Sequence, residues 1–386
     1  MPYWRLSSFY LFYFATLGTL IPYWGPYLRS IGFSAIEIGN LVALILATKI
    51  VAPNVWGWIA DRSGRCMGVV RLAALLTVVC YVGVFFGREF WWLALVMTLF
   101  SFFWNASLPQ LEATTLNYVD EGSGHYGRVR LWGSIGFIVA VWSMGALVDV
   151  KGEAIILPVL LVLMVGIWLS SLLVPESACQ IKHESHVSLL RVFKSPAVVV
   201  FLLVSFLMQA SHAPYYTFYT IYLSDYGYTK SLIGFLWAFG VVCEIGIFLV
   251  MHRMKLWVSL PYVILACFGV AIIRWILIAQ FPAELWILIV AQAMHALTFG
   301  AFHASAVQLV HQYFTGPHQH RGQALYSSVS FGMGGAVGSF YSGYSWAWWG
   351  ATATFMLAAL ISFIALLLAY FYLCRNVEYM RSEPNS

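Results

Sequence analysis

The sequence predicts an all-α membrane protein of twelve transmembrane helices arranged as two pseudo-symmetric six-helix halves. Three observations carry that prediction. Of 386 residues, 61% are hydrophobic and only 9% are charged, against about 25% charged in soluble proteins, and the mean hydropathy is +0.82. Apolar windows of about 20 residues, the length that spans a bilayer, recur at roughly 6–28, 36–60, 67–86, 90–116, 130–149, 154–174, 197–223, 231–251, 257–280, 284–310, 322–345 and 349–374. Finally, the chain repeats itself: Tyr27-Leu28, Gly32-Phe33-Ser34, Ile38-Gly39 and Leu41 return as Tyr222-Leu223, Gly227-Tyr228-Thr229, Ile233-Gly234 and Leu236, an offset of 195 that is close to half the chain. The expected organisation is a first half at 1–175, a cytoplasmic linker at 176–195, a second half at 196–375 and a cytoplasmic tail at 376–386.

The Lys and Arg residues orient the spans. With both termini cytoplasmic, 14 of the 20 fall on the inner side, and only Arg29, Arg88, Lys151 and Lys230 on the outer; Lys49 and Arg274 lie within spans. That asymmetry is the positive-inside bias. The net charge of +5 forms no basic stripe that would suggest nucleic acid. Six cysteines without a C-x-x-C pair read as packing residues. One Arg before the first span, with no small-residue cleavage site, reads as an uncleaved first helix.

Taken in order, the first span carries Tyr10, Tyr13, Thr16, Thr19 and Tyr23 and ends in two prolines, Pro22 and Pro26. An interfacial belt and a ligand wall suit that pattern equally. Ser34-Ala-Ile-Glu37 is a capping box opening the second span. Lys49 sits in its middle, too deep to snorkel easily, and is read as a cavity residue. The span ends in Gly57-x-x-x-Asp61-Arg62-x-Gly64-Arg65, where the glycines allow close helix approach and Asp61 can latch against a helix N-terminus or an Arg.

Glu112 lies eight residues inside an apolar run and Arg130 opens the next. A buried carboxylate costs about 2.5–3.5 kcal/mol on insertion scales and needs a partner, so this pair is the leading functional candidate. In the linker, His183 and His186 are read as solvated rather than metal-binding. The seventh span holds His212, Pro214, Tyr215, Tyr216 and Tyr219, a polar and aromatic face suited to a ligand. Glu244, Arg274, His295 and His303 follow on spans eight to ten. The two histidines are eight residues apart, about 80° on a helix, and no third ligand at metal spacing accompanies them. Neither a metal nor a cofactor is expected. Trp346, Trp348 and Trp349 read as interfacial anchors.

The 57–65 loop, placed between the second and third spans, resembles the loop signature of the major facilitator superfamily, whose fold is two six-helix halves. Glu112 within P-x-x-E and Arg130 within G-R-x-R, eighteen residues apart, are similar to the sugar-binding pair of the lactose permeases. On that likeness Phe137 takes the place of their stacking Trp, and Glu244, Arg274 and His295 match their coupling residues. Thr298 departs from it, standing where those permeases carry the Glu that releases the proton. YGRVRLWGS at 126–134, ASHAPYY at 210–216, LWAFGVVCE at 236–244 and His295 with Thr298-Phe299 more closely resemble the 3-phenylpropionate permease family.

Lys49, Arg130 and Arg274 against Glu112 and Glu244 leave one positive charge, 3 − 2 = +1, which suits a monoanion. The expectation is a proton-coupled symporter of a bacterial inner membrane, working as a monomer in the bilayer on a small-molecule substrate and protons. Substrate binding is assigned to Glu112, Arg130, Lys49, Phe137, His212, Tyr215, Tyr216 and Tyr219. Proton coupling goes to Glu244, Arg274 and His295, and gating to Gly57, Asp61, Arg62, Gly64 and Arg65. An aromatic monocarboxylate such as 3-phenylpropionate is the expected substrate; a galactoside-like sugar or a nucleoside is the alternative. An intramembrane enzyme or sensor finds no nucleophile–base pair or output domain in the sequence.

Overall fold

The computed structural model describes residues 2–118, 125–176, 195–254, 258–314 and 319–374. The expected tail and nearly all of the expected linker, with His183 and His186, lie outside them. The described residues are helical apart from short connections: α1 (Tyr3–Ser30), α2 (Ala35–Ser63), α3 (Cys66–Val82), α4 (Phe90–Asn117), α5 (His125–Lys151) and α6 (Ile156–Leu173), then α7 (Pro196–Asp225), α8 (Lys230–Met254), α9 (Leu260–Gln280), α10 (Leu285–Tyr313), α11 (319–349) and α12 (351–374).

Ten of these stretches are long and apolar enough to cross a membrane. The difference from the expected twelve has two causes. At 28 residues α1 is long enough, but its Tyr, Trp, Pro and Gly content keeps it out of the apolar set. Residues Arg321–Leu373 run as one 53-residue stretch, broken at Gly350 by φ 81° and ψ 177°, a conformation that no helix holds. The count is therefore compatible with twelve.

Local chemistry sets the helix ends. Ser34 and Glu37 form the expected capping box: the Ser34 N–H donates to Glu37 Oε2 at 2.8 Å, and the Glu37 N–H donates back to Ser34 Oγ at 3.4 Å. Gly64, at φ 66°, closes α2 in the left-handed region, its N–H on the Ala60 carbonyl at 2.9 Å. Both prolines of α1 are absorbed without ending the helix. A methyl group on Gly18 would lie 2.7 Å from the Phe137 carbonyl oxygen, so α1 and α5 meet at backbone distance. Small residues at such contacts are how helices associate where lipid removes the hydrophobic drive.

The chain divides into two compact units, Met1–Lys182 with Tyr216–Ala238, and His183–Tyr215 with Phe239–Ser386. Of the three joins, the first lies outside the described residues and the other two fall inside helices, in α7 and α8. Glu176, expected in the solvated linker, is tied down instead: it accepts from the Met67 N–H at the start of α3 at 2.8 Å and pairs with Arg71 at 3.6 Å. Cys80, Cys243 and Cys267 are free thiols, whereas Cys66 is disulfide-bonded, against the reading of all six as packing residues.

Candidate functional site

In the first unit the structure brings Glu112 of α4 and Arg130 of α5 together, Oε1 to Nε, at 3.9 Å. That separation is an ion pair but not a hydrogen bond. Both side chains remain about one-third exposed, at 37% and 34%, so a ligand oxygen can reach either. The Arg130 guanidinium is held from behind by Phe14, 4.0 Å from its ring centre, and by Tyr10 at 5.7 Å. Phe137 lies seven residues, two turns, beyond Arg130 on the same face of α5 and is 8% exposed.

Lys49 of α2 is half-buried and has no ion pair or hydrogen bond among the described residues. Its neighbour Thr48 belongs to a polar rung between α2 and α4: Asn105 Nδ2 donates to Thr48 Oγ1 at 2.9 Å, and Ser101 Oγ lies 3.1 Å from the same atom. Tyr216 and Tyr219 also fall in this unit. Tyr216 stacks on Trp237 at 6.2 Å, and Tyr219 meets the same ring edge-on at 6.0 Å.

In the second unit His212, Tyr215, Glu244, Arg274 and His295 form one network. Arg274 is fully buried; its Nε donates to the Ala291 carbonyl at 2.9 Å and its Nη1 to Thr298 Oγ1 at 3.2 Å. The guanidinium also lies over the rings of Tyr215 at 4.5 Å and Trp275 at 4.6 Å. His212 Nδ1 faces the Met208 carbonyl at 2.9 Å, and a carbonyl only accepts, so Nδ1 carries the hydrogen. Its Nε2 then accepts from the Thr298 hydroxyl at 3.2 Å. Thr298 thus joins His212 to Arg274, accepting from one and donating to the other. Glu244 faces His295 at 3.9 Å, with side-chain exposures of 16% and 7%. The sequence reading had divided these residues between substrate binding and coupling; the geometry draws His212 and Tyr215 into the Arg274 cluster and leaves Tyr216 and Tyr219 with Trp237.

A π-helical turn, Ala296–Ala301, follows His295 directly. Such turns often mark functional sites. In a regular helix, rings four apart drift about 40° per step. Here the wide turn cancels the drift: His295, Phe299 and His303 stack at 5.3 and 6.1 Å with interplanar angles of 10° and 15°. His303 Nδ1 then meets the Tyr326 hydroxyl at 3.0 Å.

Within the expected gating loop, Asp61 is exposed at the last turn of α2, Arg62 lies over Trp58 at 5.5 Å, Gly57 faces Gln110, and Arg65 takes Ser63 Oγ on its N–H at 3.3 Å.

Two features escaped the sequence reading. Gln292 of α10 is fully buried and its Oε1 accepts the Tyr215 hydroxyl at 2.9 Å. An amide in an apolar run three residues before His295 was the available signal. Asp149, at the end of α5, accepts the N–H groups of Lys230 and Ser231, both at 2.8 Å, and the Ser231 hydroxyl, thereby capping α8. Beside it Lys230 Nζ lies 3.8 Å from Glu153, and Arg29 pairs with Asp225 at 2.7 Å. Nothing in the sequence signals a cap supplied from 81 residues away.

A helical, multi-pass membrane chain with charged and hydrogen-bonded clusters in mid-helix suits a membrane transporter. The chain belongs to the MFS_1 like family, whose model matches residues 3–357. The probable 3-phenylpropionic acid transporter of Escherichia coli (strain K12) is 30% identical over 374 residues, covering 94% of this chain and 96% of that protein. The maltose permease of Geobacillus stearothermophilus is 25% identical over 94% of this chain and 93% of its own length. The crystal structure of the nucleoside transporter NupG matches the fold with a TM-score of 0.83 at 17% identity, over 97% of this chain and 98% of that one.

Proposed function

We propose that this transporter is a proton-coupled symporter of a bacterial inner membrane, with both termini cytoplasmic. It imports an aromatic monocarboxylate of the 3-phenylpropionate type. The observation that carries this reading is Lys49, an ammonium in mid-helix with neither carboxylate nor hydrogen-bond partner among the described residues. A charge at that depth is costly unless something pairs with it, and a substrate carboxylate is the complement. The likeness to the probable 3-phenylpropionic acid transporter supports the same class.

In this scheme Lys49 and Arg130 take the carboxylate, with Glu112 beside Arg130 setting the geometry. Phe137, Tyr215, Tyr216 and Tyr219 supply flat apolar surface for the ring. Glu244 carries the proton, with His295 and Arg274 as its neighbours, and His212 acts by holding Thr298 against Arg274. The Asp61 loop latches the cytoplasmic side through alternating access, and the protein works as a monomer in two halves joined at 176–195. Proton and substrate gradients supply the energy; no cofactor takes part.

A second reading, uptake of a neutral sugar or nucleoside, is favoured by the Glu112–Arg130 separation of 3.9 Å, which leaves both groups able to hydrogen-bond hydroxyls. Proteoliposomes enclosing a pH-sensitive dye separate the two. Protein-free liposomes set the baseline, because a free aromatic acid permeates unaided, and Glu112→Gln is the control. Acidification above baseline with 3-phenylpropionate alone supports the anion reading. A response to a galactoside or nucleoside alone replaces it.

A further inference from the structure

Among the buried polar atoms of the second unit's network that have no hydrogen-bond partner among the described residues are two on α10, Gln292 Nε2 and His295 Nδ1. Gln292 is 0% exposed and His295 5%. They stand three residues apart on one face of α10. The backbone of α8 comes close enough to touch them, because residue 240 is glycine: a methyl group there would lie 3.2 Å from Gln292 Oε1 and 3.7 Å from His295 Cβ. Buried polar atoms are almost always paired, and leaving one unpaired costs about 1–3 kcal/mol.

The hydrogen bond already made by Gln292 fixes what its free end takes. Gln292 Oε1 is taken by the Tyr215 hydroxyl, so the free end of the amide is its NH₂, a donor. Glu244 lies 3.9 Å from His295 Nε2, beyond hydrogen-bond distance, so Nδ1 is an acceptor in the tautomer that carries the imidazole hydrogen on Nε2. One donor beside one acceptor is the complement of an O–H group.

We propose that Gln292 and His295 form a hydroxyl-reading seat, floored by Gly240 and Tyr215, and that Gln292 is a specificity-determining residue for transport. The seat deepens the proposed function and rests on it: within the second unit, it takes an O–H of the transported molecule. An ordered water is the other source of the same chemistry, and the test separates the two.

The measurement is kcat/KM in proteoliposomes for the ring-hydroxylated 3-phenylpropionates, each divided by the value for 3-phenylpropionate, in wild type, Gln292→Leu and Gly240→Ala. If the seat reads the substrate, one hydroxylated isomer is preferred by the wild type, and the ratio falls about 3- to 10-fold in Gln292→Leu, the worth of one neutral hydrogen bond. Gly240→Ala, which crowds the amide without removing it, lowers the ratio in the same direction and keeps the test alive if Gln292→Leu fails to fold. If a water fills the seat, both acids slow equally in the variants and the ratio stands unchanged, which overturns the proposal. If the wild type carries neither acid, the aryl-acid reading fails by itself. The ratio is then taken for a galactoside and a nucleoside against their deoxy analogues. Absence of a hydroxyl preference in all these pairs overturns the seat.

Discussion

Lys49 and Glu244 divide the proposed work between binding and coupling, and each has its own signature in transport kinetics. Lys49→Met should raise KM for an aromatic monocarboxylate by roughly 10- to 100-fold, since a hydrogen bond to a charged group is worth about 1.5–3 kcal/mol. The variant should lose much less with a neutral substrate, and uptake kinetics on both would check this. Equal losses on the two would mean that Lys49 holds the helix bundle and not the anion. Glu244→Gln should preserve exchange of substrate across the membrane while abolishing accumulation against a gradient, measured as counterflow and uphill uptake in one preparation. Such residues were legible in the sequence because a charge inside an apolar run is conspicuous by itself. Which of them meet was not: Glu112 and Arg130 could be paired by resemblance, but the Thr298 link between His212 and Arg274 joins positions 86 and 24 residues apart. The signal at Gln292 was passed over because an amide carries no charge to betray it.

The helices were read at the right places because hydrophobic length and end chemistry are local. Their irregularities came only with the structure. The cap at Ser34 illustrates the legible part, and Ser34→Ala should cost about 1 kcal/mol, measured as a lower melting temperature with transport retained. The π turn after His295 illustrates the rest. Nothing in Ala296–Ala301 announces a wider turn, and the regular 3.6-residue repeat set His295 and His303 about 80° apart, where the structure stacks them through Phe299. Contacts between helices were equally hidden. Gly18→Val should be more damaging than most glycine changes, because its side chain would drive into the Phe137 carbonyl; overpacking of this kind costs about 1–3 kcal/mol. The check is thermal unfolding in detergent beside Gly246→Val, since a side chain at Gly246 meets nothing within 4 Å.

Over the whole molecule, the repeat of 195 residues made the two-part plan readable, yet the first compact unit includes Tyr216–Ala238 from the second repeat. Asp149 helps to hold this segment. Arg29–Asp225, with both side chains nearly half exposed, belongs to the class of surface pairs worth about 0–1 kcal/mol. Asp149, also exposed, instead accepts from two backbone N–H groups and a hydroxyl at once, a fixed geometry that a single surface pair lacks. In the alternating-access cycle proposed above, these bonds are expected to part when that side opens. Asp149→Asn should therefore raise the rate at which a cysteine placed at Ser224 reacts with a membrane-impermeant maleimide, by about 10-fold for each 1.4 kcal/mol lost. An unchanged rate would mean that the cap stays closed throughout transport. Two of the three partners of Asp149 are main-chain groups, and every residue except proline has the same N–H at those positions. Substitutions on α8 thus leave the grip largely intact, while a single change on α5 removes it. On the proposed cycle, the resting share of open and closed transporters would be set at one codon, a trimmer by which a lineage could retune its uptake without touching what the protein recognises.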